Sequence, residues 1–178
     1  MLDDRKTPKI QLLKRLRSYW KLECLNIFLL PFMAIIVVVF GFHGTFTLAF
    51  GFSLLATSWL LVVGTISLRM MLSDLERNFS YSVFWLPKLC FAQLPSLGLV
   101  FASLLLTTQD CIGVFPDFAA SQYGSIVFTT LAVLEYINYY HWQLQHFDNA
   151  SDFSRLIKGD GFRKSHLARA LERWRKSG

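Results

Sequence analysis

Residues 24–42, CLNIFLLPFMAIIVVVFGF, run for 19 positions without a charged side chain. A helix of that length rises about 29 Å, close to the hydrocarbon thickness of a bilayer. In lipid no water satisfies backbone N–H and C=O groups, so the segment is expected as a membrane-spanning helix with its hydrogen bonds closed internally. Residues 1–23 precede it, and no small-residue cleavage site closes it before the next apolar run, unlike a cleaved signal peptide. Pro31 removes one backbone donor and predicts a kink.

Three further apolar runs follow, at 46–68, 89–107 and 122–140, the last being the least apolar. The expected fold is all-α: an integral membrane four-helix bundle made of two transmembrane hairpins, flanked by amphipathic cytoplasmic helices. Its divisions are an interfacial helix (1–23), the four-span domain (24–140) and a basic helical tail (141–178). Charged residues make up 17% of the chain and apolar ones 53%, whereas a soluble domain usually carries about 25% charged residues. A tight turn is expected around His43, Gly44 and Thr45. Ala49, Ser53 and Thr57 recur at every fourth position, a small-residue stripe suited to close helix contact within the bundle.

The basic residues give a direction. Of 18 Lys and Arg, seven precede residue 24, three lie in 69–88 and eight follow residue 140. The positive-inside rule then puts both termini and the middle loop in the cytoplasm, in a plasma membrane and specifically a bacterial inner membrane. The net charge of +6 is therefore read as topogenic and lipid-facing rather than as a nucleic-acid signal. The sequons at Asn78 and Asn149 fall on the cytoplasmic side and are expected to be unmodified. Cys24, Cys90 and Cys111 have no zinc spacing. The first two lie at cytoplasmic span ends and are expected to be reduced. Cys111 is expected as a free thiol, with an intermolecular bridge as the alternative.

Both flanks are amphipathic. In PKIQLLKRLRSYWKL (8–22), Leu12, Leu13, Leu16, Tyr19 and Trp20 share one side, and Lys14, Arg17, Ser18 and Lys21 the other, with Arg15 near the boundary. Such a helix suits the headgroup region of an anionic cytoplasmic leaflet, where each basic residue contributes on the order of 1 kcal/mol. In the tail, a short helix at 152–158 is followed by one at about 163–176. Leu167, Leu171 and Trp174 line one side of the latter, with Arg169, Arg173 and Lys176 opposite. The pair is too small for a helix-turn-helix core. It is expected to meet a lipid surface or a protein partner.

The fourth run carries the candidate site. Continued as one helix to residue 149, it places Glu135, Asn138, Tyr139, Trp142, Gln145 and His146 within about 120° of one another. Glu135 is the one acidic residue inside any expected span, and a carboxylate there normally faces protein or water. Its structural reading is a partner in the bundle, such as Gln93 or a boundary cation. Its functional reading is a coupling residue for a proton or substrate. His141 and His146 are five apart and diverge by about 140°, so they do not chelate as a pair. No cofactor or metal is expected, and no phosphate loop, activated serine or HExxH pattern appears.

Small size, short outer connections and the absence of a dense polar lining point to a non-enzymatic accessory, assembly or regulatory subunit of a larger membrane complex. It would act through a protein partner or as a homo-oligomer. The alternative is a homo-oligomeric small transporter or channel with Glu135 as coupling residue. A lipid-interface enzyme near His141 and His146 is a third class, with no nucleophile or acid–base pair to carry it.

Overall fold

The computed structural model describes residues 6–112, 119–144 and 162–177. Among them the chain is all-helical: α1 (Lys6–Ile35), a π-helical segment (Ile36–Gly41), α2 (Leu48–Leu75), α3 (Ser80–Cys111), α4 (Ala120–Tyr140) and α5 (His166–Ser177). Three stretches are long and apolar enough to cross a membrane, at Leu13–Gly41, Leu48–Leu75 and Ser80–Cys111. The fourth expected span forms as α4 but does not join that set. The reason is its composition, since its buried face carries Ser121, Gln122, Ser125, Thr129 and Asn138. A membrane protein with three such helices is thus supported, and four equivalent spans are not.

Two boundaries differ from expectation. The amphipathic N-terminal flank is not a separate helix but the first half of α1, which runs unbroken through Pro31. The middle loop expected at 69–88 is a turn of four residues between α2 and α3. Its polar residues ride on extra turns of α2 and α3 rather than in a loop. Arg77 closes it in the left-handed region (φ 64°), and Ser73 Oγ donates to Asn78 O at 2.5 Å.

At the other end the tight turn appears where expected. The π-helical segment follows Pro31 and ends where Gly44 N donates to Val38 O at 2.8 Å, after His43 at φ 52°. A Cβ on Gly44 would lie 2.9 Å from that carbonyl oxygen, so only glycine closes the turn without displacement. Thr47 then caps α2, accepting from Phe50 N and donating to Asp110 Oδ2, each at 3.2 Å.

α2 is the central helix and packs against α1, α3 and α4. Within the apolar windows, 56% of α2 is buried, against 22% for α3 and 6% for α1, so α1 lies on the outside. Ala49, Ser53 and Thr57 are all buried, and Thr57 Oγ1 donates to Phe128 O of α4 at 2.9 Å. The small-residue stripe is therefore a contact inside the bundle. Buried hydroxyls join α3 to α4 as well: Thr129 Oγ1 is 2.6 Å from Ser103 Oγ and 2.9 Å from Thr107 Oγ1. Trp59 Nε1 donates to Ser96 Oγ at 2.9 Å, tying α2 to α3. Away from water such groups stabilise the bundle by finding one another, while among the described residues Thr65 Oγ1 and Ser121 Oγ are buried with no hydrogen-bond partner.

The basic tail folds back. Trp142 and Lys164 form an antiparallel bridge, and Ser165 N donates to His141 O at 3.0 Å. Ser165 then caps α5, its Oγ accepting from Ala168 N at 2.9 Å. Leu167 and Leu171, expected to meet lipid or a partner, are buried in the same core as Leu60, Met70 and Leu89. The apolar face of the tail is thus occupied by the chain itself. The 152–158 helix expected from sequence lies outside the described residues.

Candidate functional site

Tyr139 is the junction of the structure. It sits one turn after Glu135 on α4, is buried, and its hydroxyl donates to Oε1 of Glu23 on α1. The Glu135 carboxyl faces the same phenol. The ring reaches α1 by passing across α2 at Gly64, where a Cβ would lie 2.2 Å from the Tyr139 hydroxyl oxygen. Its backbone carbonyl accepts from Ser165 Oγ, the N-cap of α5. One residue therefore touches α1, α2 and the tail.

The chemistry follows from the donor and acceptor inventory. A phenol has one O–H to give, and its oxygen can also accept. Two carboxyls converge on it from different helices, within the α1 and α4 segments of the bundle. Carboxylates at such positions mark sites where protein, not lipid, must supply the partner.

Other charged side chains of α1, α2 and α3 are held by cation–ring contacts and one ion pair. The Arg69 guanidinium lies 5.4 Å from the Trp20 ring and 6.0 Å from the Tyr81 ring. Arg17 pairs with Glu76 at 2.7 Å. That pair is largely exposed and is worth roughly 0–1 kcal/mol. Lys88 Nζ sits 3.2 Å over the Phe84 ring.

The expected polar stripe is divided rather than continuous. Glu135 and Tyr139 are brought together. Asn138 instead stops the helix, its Oδ1 accepting from Leu144 N at 2.8 Å. The helix ends at Tyr140, and His141 leaves helical geometry at φ −127°, ψ −79°. Trp142 therefore turns into the bridge with Lys164 and is exposed. Gln145 and His146 lie outside the described residues. Gln93 pairs not with Glu135 but with Arg175, at 2.8 Å. Lys14, Arg15, Arg17 and Lys21 are exposed along α1, and Arg169, Arg173 and Lys176 along α5.

Sequence reasoning missed Glu23, Gly64 and Ser165. Glu23 was one residue outside the expected first span, and treating 1–23 as a separate helix hid that it continues the same face. Gly64 carried no turn signal. Its role is spatial and shows only when α4 is laid across α2.

His166 opens α5 and is half-buried. Burial pushes its imidazole below the ordinary range, Arg169 and Arg173 add to this, and Asp74 opposes it. A base held low binds fewer protons docked than undocked, so the docked tail loses stability as pH falls below about 6.5. The loss levels off once the docked imidazole is itself protonated. The protection factors of amides 167–176, measured against the intrinsic exchange rate at each pH, are expected to fall between pH 7 and pH 5 in wild type. In His166→Gln that fall in protection should be much reduced.

No protein-family model, curated protein or solved structure is found to match this chain.

Proposed function

We propose that the chain is a small multi-pass membrane protein serving as a non-enzymatic accessory, assembly or regulatory subunit of a larger membrane complex, with its basic end in the cytoplasm. The observation that carries this reading is the bareness of α1. Only 6% of its apolar window is covered by the rest of the chain. Leu22, Leu25, Leu29, Phe32 and Ile36 are exposed along it, at the alternating three- and four-residue spacing that a partner helix reads. The sequence distribution of the 18 basic residues, seven before residue 24, three in 69–88 and eight after residue 140, supports the orientation. The bundle interior supports a structural role, since hydroxyls of Ser103, Thr107 and Thr129 bond one another between α3 and α4.

The test is native electrophoresis of membranes solubilised in mild detergent. The wild-type chain is expected to migrate in a complex of defined stoichiometry. Replacing Leu25, Leu29 and Phe32 by alanine should dissolve it, whereas Phe91→Ala and Phe101→Ala on exposed α3 should not. A lone monomer that crosslinks to nothing in its own membrane would refute the reading.

The convergence of Glu23 and Glu135 on Tyr139 favours a second reading, a homo-oligomeric small transporter or channel with Glu135 as coupling residue. Wild-type flux in vesicles carrying Glu135→Gln and Glu135→Ala would dispose of it.

A further inference from the structure

At the basic end of the bundle, α1 and α3 each pack on α2, and both send an aromatic ring to the same α2 side chain. The Arg69 guanidinium lies 5.4 Å from the Trp20 ring of α1 and 6.0 Å from the Tyr81 ring of α3. The aromatic surface continues along α3. Tyr81 meets Trp85 with ring centroids 6.1 Å apart, and Trp85 meets Phe84 at 5.3 Å. Lys88 Nζ stands 3.2 Å over the Phe84 ring and 4.9 Å over that of Trp85. Two cations thus rest on one run of rings, Arg69 half-buried and Lys88 exposed.

A ring attracts a cation through its quadrupole but offers no lone pair. The five N–H donors of a guanidinium still call for acceptors, and among the described residues no hydrogen bond or ion pair reaches Arg69 or Lys88. The carboxyls of the neighbouring segments are engaged elsewhere: Glu76 with Arg17, Asp74 with Ser82 and Glu23 with Tyr139. Residues 14–23 and 69–88 together hold seven Lys and Arg against those three acids. Such a surface is the complement of an anion.

The depth of the site says which anion. Arg69 follows Leu48, the first residue of α2, by 21 positions. That is a rise of about 32 Å, which carries it just past the hydrocarbon layer to the level of lipid phosphates. Phe84 is 57% exposed, and Phe91, one turn inward from Lys88, is 80% exposed, so the shelf opens sideways towards acyl chains. A planar guanidinium can meet two phosphate oxygens at once. A zwitterionic headgroup would bring its own cation against Lys88.

We propose that Arg69, backed by Trp20 and Tyr81, binds the phosphodiester of an anionic phospholipid, with Lys88 supplying a second positive charge and the α3 rings packing on the lipid. The site requires the chain to lie in a bilayer but not to belong to a complex.

The experiment is native mass spectrometry of the full chain in detergent, titrated with dioleoylphosphatidylglycerol or dioleoylphosphatidylcholine. Wild type should bind one phosphatidylglycerol roughly tenfold or more tighter than phosphatidylcholine, as two basic groups at the headgroup would give. Arg69→Gln should remove most of that preference, and Lys88→Gln should weaken it about fivefold. Lys14→Gln and Arg15→Gln, exposed on α1, should leave it unchanged. Equal uptake of the two lipids by wild type overturns the site, as does an Arg69→Gln chain with the wild-type preference. A loss in Lys14→Gln as large as in Arg69→Gln also overturns it, because diffuse attraction would then suffice. If Arg69→Gln elutes as an aggregate, Arg69→Lys decides, since it keeps the charge but not the planar fork. Its preference should fall about fivefold, and a wild-type preference there overturns the site.

Discussion

Gly64→Ala will destabilise the bundle, although the same exchange at Gly98 will stabilise it. Within a helix, alanine is favoured over glycine by about 1 kcal/mol. At Gly98 nothing lies within 4 Å of the added Cβ, so that gain should appear nearly whole. At Gly64 the Cβ would meet the Tyr139 hydroxyl oxygen at 2.2 Å and its ring carbon Cζ at 2.3 Å. The ring is rigid and buried, so it cannot yield by bending a flexible end. Overpacking of this kind costs roughly 1–3 kcal/mol. Losing the donor to the half-buried Glu23 carboxylate adds about 1–3 kcal/mol more. The cost exceeds the helical gain, and the sign is settled. Thermal unfolding in detergent of both variants, side by side, measures the difference. Equal shifts at the two positions would show that Tyr139 does not cross α2 at Gly64.

The second large effect is expected in the tail. Leu167 is 1% exposed and Leu171 3%, and each loses roughly 2–5 kcal/mol on truncation to alanine. α5 is only 12 residues long, and an isolated helix of that length is marginal in water. The Leu167→Ala, Leu171→Ala double variant should therefore undock and melt α5 while leaving α2, α3 and α4 folded. Hydrogen exchange reads this directly, as loss of protection confined to 167–176. Trp174→Ala, at a partly exposed position (37%), should do far less. Retained protection in the double variant would mean that the basic face rather than the apolar one holds α5.

The helices themselves were legible in the sequence because apolar runs in lipid admit few other structures. The turn at His43–Gly44 was legible for the same reason, being a short polar break between two such runs. Harder to read were the places where a helix outlasts its apolar stretch. Arg69 and Asp74 looked like loop residues because they are charged, yet they belong to the last turns of α2. The polar stripe after Glu135 failed in the converse way. Its periodicity was helical, but the Asn138 side chain bonds Leu144 N and the chain reverses. The fate of the tail could not be read at all, since amphipathicity says that a face is covered but not by what. The pairing at the candidate site was half visible. Glu135 announced itself by its depth, while Glu23 fell just beyond a boundary drawn from hydropathy alone.

The unbroken course of α1 has a mechanical consequence. Its 30 residues rise about 45 Å, and residues 6–23, ahead of the apolar span, account for about 27 Å of that. A helix longer than its slab accommodates a thinner bilayer by tilting. Because no hinge separates span from extension, the tilt is carried outward undiminished, as with an oar in its lock. Lys14, Arg15 and Arg17 stand on that extension, and because Arg17 pairs with Glu76 and Trp20 meets Arg69, it is expected to tilt together with α2. A change in bilayer thickness is therefore expected to displace this positive charge with the bundle as a whole.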